Sequence, residues 1–292
     1  HVREVVAWTS LIEGYAQHRQ GHEALECFEK MRREGLSPNE VTFICILKAC
    51  ATLRAIDKGK QIHEEIAHRG FLKGNVVLGT ALVDMYVKCG MLAEAQQVLE
   101  ELLVRDVVSW SSLIAGYVQQ GQGFKALDCY ERMEKEGVSP NEITFTCVLK
   151  ACGINNEGDM AIHLFEKMQE MRVKPDGITF TCLLTACCRS SLVIEGQNFF
   201  KGMKLYGIDP TVEHLACMVD ILARSGHLSQ AEKLFESLPH IPSKQMWTVL
   251  LSACNIYAEL ELGERCFEHL RSLDQASCMD DYVSVETPRK YA

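Results

Sequence analysis

The chain has 292 residues, 47% of them apolar and 24% charged, which is enough to bury a core and too apolar for a disordered chain. No uncharged apolar run is long enough to cross a bilayer, so a membrane partner is not expected. The net charge of −9 argues against a protein that coats itself with nucleic acid by bulk charge, yet leaves room for a local basic groove.

The chain opens on His1 with no signal or transit pattern. It is therefore expected to be a piece of a longer protein whose targeting segment lies upstream. Residues 1–4 read as the end of a preceding unit. Residues 5–39 then align without a gap on 107–141, with 21 of 35 positions identical and Trp8 over Trp110. Between them lie 40–75 and 76–106, and after them 142–176 and 177–211. EVTFICILKAC, EITFTCVLKAC and GITFTCLLTAC open three of these units. Two more divergent units, 212–244 and 245–278, precede a tail at 279–292. Fixed-period self-similarity of this kind marks a repeat architecture.

Each unit reads as two helices. In 107–141, Trp110, Leu113, Ile114 and Tyr117 keep amphipathic spacing, Gln122 and Gly123 break it, and Ala126, Leu127, Tyr130 and Met133 resume it. Gly137 and Pro140 then stop the unit, and Pro38, Pro140, Pro175 and Pro210 share the penultimate place of their repeats. A lone helical hairpin leaves an apolar face wet and must stack on its neighbours. The expected fold is all-α, with about sixteen helices in an α-solenoid whose inner surface is built from the first helix of each unit.

Fourteen cysteines suggest a disulfide scaffold at first sight. Cys45/Cys50, Cys147/Cys152 and Cys182/Cys187 are each five residues apart inside a helical pattern. That spacing turns two side chains about 140° apart, so they cannot pair with each other. Reduced core thiols are the expectation.

Catalytic patterns are missing. His63 and Glu65 form the H-x-E of a zinc deaminase, but no C-x-x-C accompanies them. Cys187 and Cys188 are adjacent and cannot build a tetrahedral site alone, and His163, His214, His227 and His269 stand singly as surface or capping residues. No phosphate loop or nucleophile elbow is present. The chain is not expected to be an enzyme or to hold a cofactor or metal.

Two families of helical hairpin fit: tetratricopeptide repeats, with a 34-residue period and protein ligands, and pentatricopeptide repeats, with 35. The unit lengths and the phrases VVSWSSLIAGYVQQG, GKQIHEEI, ALVDMYVKCG and VEHLACMVDILARSGHL resemble plant pentatricopeptide-repeat (PPR) proteins of the PLS subclass over about residues 1–278. The resemblance implies a right-handed superhelix. It makes 5–39 and 107–141 P repeats, 40–75 an L repeat and 76–106 an S repeat. Residues 142–176 are L-like, 177–211 L-type and 212–244 S-type. MWTVLLSACNIYAELELGERCFEHL places an E-type motif at 245–278, as in RNA-editing factors, and 279–292 is a divergent tail.

The resemblance also implies that the fifth and last residues of each repeat read one base of a single-stranded RNA. A splayed base shows its Watson–Crick edge. A carboxylate only accepts and suits guanine N–H groups, whereas an amide donates and accepts and suits adenine. Thr9/Asn39 then implies adenine, Thr80/Asp106 guanine, Ser111/Asn141 adenine and Thr146/Asp176 nominally guanine. Ile44/Asn75 carries no preference, and Thr181/Thr211 and the repeat of Ala216 follow no clear rule. Capping is the competing role for Thr9, Ser111, Asn39 and Asn141, though it leaves their paired placement unexplained. By resemblance Val6, Val77 and Val108 flank bases, with packing between helices as the alternative. Lys88, Arg189 and Arg224 share the place of a phosphate contact, which Gln17 and Gln119 fill in the P repeats.

The function implied is site recognition in organellar RNA, in a mitochondrion or chloroplast, for C-to-U editing. The RNA would carry A-n-G-A from 5′ to 3′. A DYW-type deaminase would act in trans or follow in the longer chain, and small editing-factor proteins are further partners. A protein-binding scaffold, or a factor for organellar RNA stabilisation or splicing, is the alternative.

Overall fold

The computed structural model describes residues 2–72, 74–236 and 244–283. Among the described residues there are sixteen α-helices and no strand. The first eight are α1 (Val2–Gln17), α2 (Gly21–Arg33), α3 (Glu40–Leu53), α4 (Ile56–His68), α5 (Val76–Lys88), α6 (Leu92–Glu101), α7 (Val107–Gln119) and α8 (Gly123–Lys135). They are followed by α9 (Glu142–Asn155), α10 (Gly158–Glu170), α11 (Gly177–Arg189), α12 (Val193–Gly202), α13 (Val212–Arg224), α14 (Leu228–Glu236), α15 (Lys244–Tyr257) and α16 (Leu260–Val283). A 3-10 turn at Met203–Tyr206 follows α12. The helix α16 runs into the segment expected as a tail, and residues 284–292 of that segment lie outside the described residues.

Start and stop signals are local and repeat. Asn39, Asp106 and Asp176 each accept a hydrogen bond from the backbone N–H three residues on, which satisfies a donor that the first helical turn leaves open. First helices end on a left-handed residue at the fifteenth place: Arg19, Arg54, Gly90, Gly121, Asn156 and Ser191 all have positive φ. There the turn lets the next N–H reach back five residues, as Gln122 N–H does to Tyr117 O at 2.8 Å. Sequence spacing puts the break of 107–141 at Gln122 and Gly123. The structure turns at Gly121 instead and makes Gly123 the buried first residue of α8, where a Cβ would lie 3.0 Å from the Ala151 carbonyl oxygen of α9.

The chain divides into two compact units, His1–Asn155 and Asn156–Ala292, and the division falls inside segment 142–176. In the first unit α1, α3, α5, α7 and α9 lie side by side, and each of α2, α4, α6 and α8 packs on its own first helix and on the next one. In the second unit α11, α13 and α15 repeat this arrangement, with α10, α12 and α14 seated on the first helices that follow them. Three of the joints are closed by an aromatic pair: Phe28 on Phe43 and Tyr130 on Phe145 in the first unit, Phe165 on Phe180 in the second. Phe43, Phe145 and Phe180 are essentially fully buried, and each such ring stabilises its joint by about 2–3 kcal/mol. The second unit continues its core through Met218, Leu222, Phe235, Leu250 and Cys254. Trp247 stacks on His269 at 4.4 Å between ring centres, joining α15 to α16.

The short segment 76–106 lacks the longer C-terminal turn of its neighbours. Leu102 leaves α6 in an extended conformation, and its side chain covers Gly79 of α5, where any Cβ would clash. None of the thirteen described cysteines is in a disulfide, and most of them are buried.

Candidate nucleic-acid interface

The last residue of one segment and the first turn of the next form a hydrogen-bonded knot that also captures a side chain from the preceding first helix. Asn39 Oδ1 accepts from Thr42 N–H and from the Thr42 hydroxyl, both at 2.9 Å. A carbonyl oxygen only accepts, so the Thr42 proton is committed there. Thr9 Oγ1 lies 2.8 Å from Thr42 Oγ1 and must therefore be the donor between them. The outcome is a fixed polarity: Thr9 presents a lone pair and Asn39 presents its amide N–H groups. Neither Nδ2 of Asn39 nor that of Asn141 has a partner among the described residues. Ser111, Thr144 and Asn141 repeat the knot at 2.7 and 2.9 Å.

In the segment 76–106 the contact is direct. Thr80 Oγ1 donates to Asp106 Oδ1 at 3.2 Å and to Val76 O at 2.9 Å, while Asp106 Oδ1 also accepts from Ser109 N–H at 2.8 Å. Both outward groups, the Thr80 lone pair and Asp106 Oδ2, are acceptors. Asp176 caps α11 through Thr179 at 2.8 Å, and Thr146 bonds back to Glu142 O at 2.9 Å. In 40–75 the fifth residue is apolar Ile44, and Asn75 spends its amide on Glu40 at 2.6 Å. Asn39, Asn141, Asp106 and Asp176 therefore do cap helices, and capping occupies only one of the two polar ends of each side chain.

The third-place hydroxyls Thr42, Ser109, Thr144 and Thr179, all fully buried, were not singled out from the sequence. Their signal was present in the aligned openings EVTF, VVSW, EITF and GITF. Capping by the last residue explains them only in part. Thr42 and Thr144 make a second contact that reaches back 33 residues to the fifth residue of the preceding segment.

Val6, Val77 and Val108 are exposed, and so are Val41, Ile143 and Ile178 at the same second place; all six lie between 50% and 63% exposed. An apolar side chain left this exposed at six matching positions marks a surface stripe, not a core. Val77, Thr80, Asp106 and Val108 together line an open groove of about 470 Å³, joined by Ile44, Lys48 and Asp84.

The cations at the end of the first helices are already engaged. Lys88 pairs with Asp84 at 2.7 Å, Arg224 pairs with Asp220 at 2.7 Å, and Arg189 donates to Asn156 Oδ1 at 3.0 Å. Lys48, four places earlier in its segment, is exposed and has no ion pair among the described residues, as has Lys150 at the equivalent position. Lys48 lies on the groove wall.

His63 sits in α4, with Nδ1 2.9 Å from the Tyr86 hydroxyl, and burial holds its pKa below the ordinary value. Burial likewise pushes Tyr86 up to about 12. The pair packs α4 on α5. Among the described residues no three His, Cys, Asp or Glu side chains come together to hold a metal ion.

The sequence matches the PPR repeat family over residues 3–52, 105–154 and 144–189, and the PPR repeat over 80–107, 178–208 and 216–240, together more than half of the chain. A pentatricopeptide repeat-containing protein of Arabidopsis thaliana is 33% identical over 286 residues, which is 97% of this chain and 49% of that protein. The chloroplastic pentatricopeptide repeat-containing protein CRR2 of Arabidopsis thaliana is 44% identical over 162 residues, 54% of this chain and 24% of that protein. The chain thus spans half or less of the length of these relatives. Among solved structures, maize PPR10, represented by a variant in complex with an 18-nucleotide RNA element, superposes with a TM-score of 0.67 at 19% identity. That match covers 92% of this chain and 40% of the other.

Proposed function

Since this chain belongs to the PPR repeat family, we propose that it binds single-stranded RNA along its first-helix layer and reads A-n-G-A from 5′ to 3′. The observation that carries this reading is the polarity of the outward groups. Thr80 and Asp106 offer only acceptors, which suit the adjacent N1–H and N2–H donors of guanine. Thr9/Asn39 and Ser111/Asn141 each offer one acceptor beside an amide donor, which suits the N6–H and N1 of adenine. Thr146/Asp176 nominally adds a guanine. The second-place stripe supplies apolar walls for the bases, and unpaired Lys48 and Lys150 supply charge for the phosphates, with Lys88, Arg189 and Arg224 contributing once released from their partners.

By its E-type wording at 245–278 the chain selects a site for C-to-U editing in a chloroplast or mitochondrion, with small editing-factor proteins as partners and a DYW-type deaminase acting in trans or attached in the longer protein. It performs no chemistry itself. RNA carrying A-n-G-A binds more tightly than RNA with the bases exchanged, and Asn141→Asp moves the fourth preference from adenine to guanine, a change worth about 1–3 kcal/mol. Fluorescence anisotropy on the four RNAs checks this, and an unaltered fourth-base preference overturns base reading. Sequencing organellar transcripts after loss of the gene tests editing, where one cytidine should remain unconverted.

A second reading, a scaffold for a protein ligand, is favoured by the net charge of −9 and by the apolar stripe. It requires binding that does not respond to salt, whereas phosphate contacts weaken steeply as salt rises.

A further inference from the structure

The segment 177–211 ends in a pair, Thr181 and Thr211, whose hydroxyls have no base preference by residue type, because a hydroxyl both donates and accepts. Here a buried histidine removes that freedom. His214, 2% exposed, stands at the third place of the next segment, where the other knots have threonine or serine. Its ring nitrogens face groups of fixed role. Nε2 lies 2.8 Å from Gly177 O, a carbonyl that only accepts, so Nε2 carries the proton. Nδ1 lies 3.0 Å from Thr211 N–H, a backbone donor, so Nδ1 is the acceptor. With the tautomer set by these two neighbours, the hydroxyls follow. Thr211 Oγ1 is 2.8 Å from Nδ1, a distance at which two facing lone pairs would repel, so its proton points at the ring. Thr181 Oγ1 donates to Gly177 O at 3.1 Å and faces the Nε2 proton at 3.2 Å, so its proton also points inward. Thr211 is exposed and Thr181 partly so, and what both show outward is a lone pair.

We infer that His214 converts Thr181 and Thr211 into an acceptor-only pair, equivalent in polarity to Thr80 and Asp106, and that segment 177–211 thereby selects guanine at the sixth base of the bound RNA. The inference rests on the RNA reading proposed above. Guanine alone offers two neighbouring donors on its Watson–Crick edge, whereas adenine, cytosine and uracil each offer a single donor position beside an acceptor. His214 does not touch the base. It is a positioning residue that acts by holding two hydroxyl protons.

The test uses the 292-residue chain and RNAs of the form A-n-G-A-n-X, with the four bases at X and, separately, at the third position. Guanine at X is expected to bind about fivefold more tightly than the other bases. His214→Thr returns rotational freedom to Thr211 and should reduce this ratio to less than about twofold, with third-base discrimination unchanged. Thr211→Asp, a fixed acceptor, should keep guanine preferred. Thr211→Val should abolish the preference, and it decides the matter even where His214→Thr is too unstable to measure. Equal affinity for the four bases at X, with guanine still preferred at the third position, overturns the role of His214 alone. Loss of discrimination at both positions overturns base reading itself and this inference with it. Retention of the guanine preference in His214→Thr or Thr211→Val also overturns it.

Discussion

Segments 5–39 and 107–141 share most of their residues, yet they settle differently. Trp110 is fully buried, with an indole N–H that has no partner, while Trp8 is half-buried and donates to Glu34 at 3.1 Å. The matching acid, Glu136, is taken by Arg105 at 2.8 Å. Arg105 reaches it because Leu99 O and Glu100 O at the end of α6 grip its guanidinium at 2.7 and 2.8 Å. Identical residues thus receive different partners in the two segments. In this architecture the neighbouring segment is part of the environment that each residue type responds to.

The contrast makes ordered predictions. Trp110→Ala should cost about 3–5 kcal/mol in urea denaturation, and Trp8→Ala no more than about half of that, because only the buried ring leaves a cavity. Equal losses would show that the difference in burial does not set the cost at this place. Next come the matched thiols. Cys129 is pushed up to about 12 by burial, whereas Cys27 is raised to a smaller extent by the same cause. Since the thiolate is the reactive form, Cys27 should alkylate about tenfold faster than Cys129 in the folded protein, as read by mass spectrometry. The stability tied to these neutral thiols is complete below the ordinary value of 9.0 and falls as pH rises from there through about 12. The smallest effect is expected for Arg105→Met, a loss of about 1 kcal/mol. It frees Glu136 for the Trp110 indole, whose N–H proton should move downfield in NMR spectra. An unmoved resonance would mean that the exchange of partners does not occur.

Much of the fold is legible in the sequence because each helix carries its own signals: a polar residue at the cap, apolar spacing, and a residue that tolerates the left-handed turn. Arg19, Arg54 and Ser191 are exceptions, since only Gly is free of strain there, and nothing in their side chains announces the turn that the repeat register imposes. The candidate site was legible in pairs but not in polarity. Thr80 and Asp106 meet in one groove, as their shared repeat implies, yet the direction of the Thr9 and Ser111 hydrogen bonds depends on Thr42 and Thr144 in the following segments. Lys88, Arg189 and Arg224 share a place in the repeat, but their charges are engaged by Asp84, Asn156 and Asp220. Two of those partners lie one helical turn earlier and could have been read from the sequence, whereas Lys48 reaches the groove only because α3 packs beside α5.

What the sequence alone determined is the set of periodic and local features: the helical hairpins with their caps and turns, since these follow from spacing along one chain. What only the tertiary structure decided is which protons point where. The Thr9 and Ser111 hydroxyls, the His214 ring and the Trp110 indole take their partners, or lack them, through groups about 30 residues away, brought within hydrogen-bond distance by stacking. The donors and acceptors that this surface offers are fixed by the neighbour as much as by the residue itself.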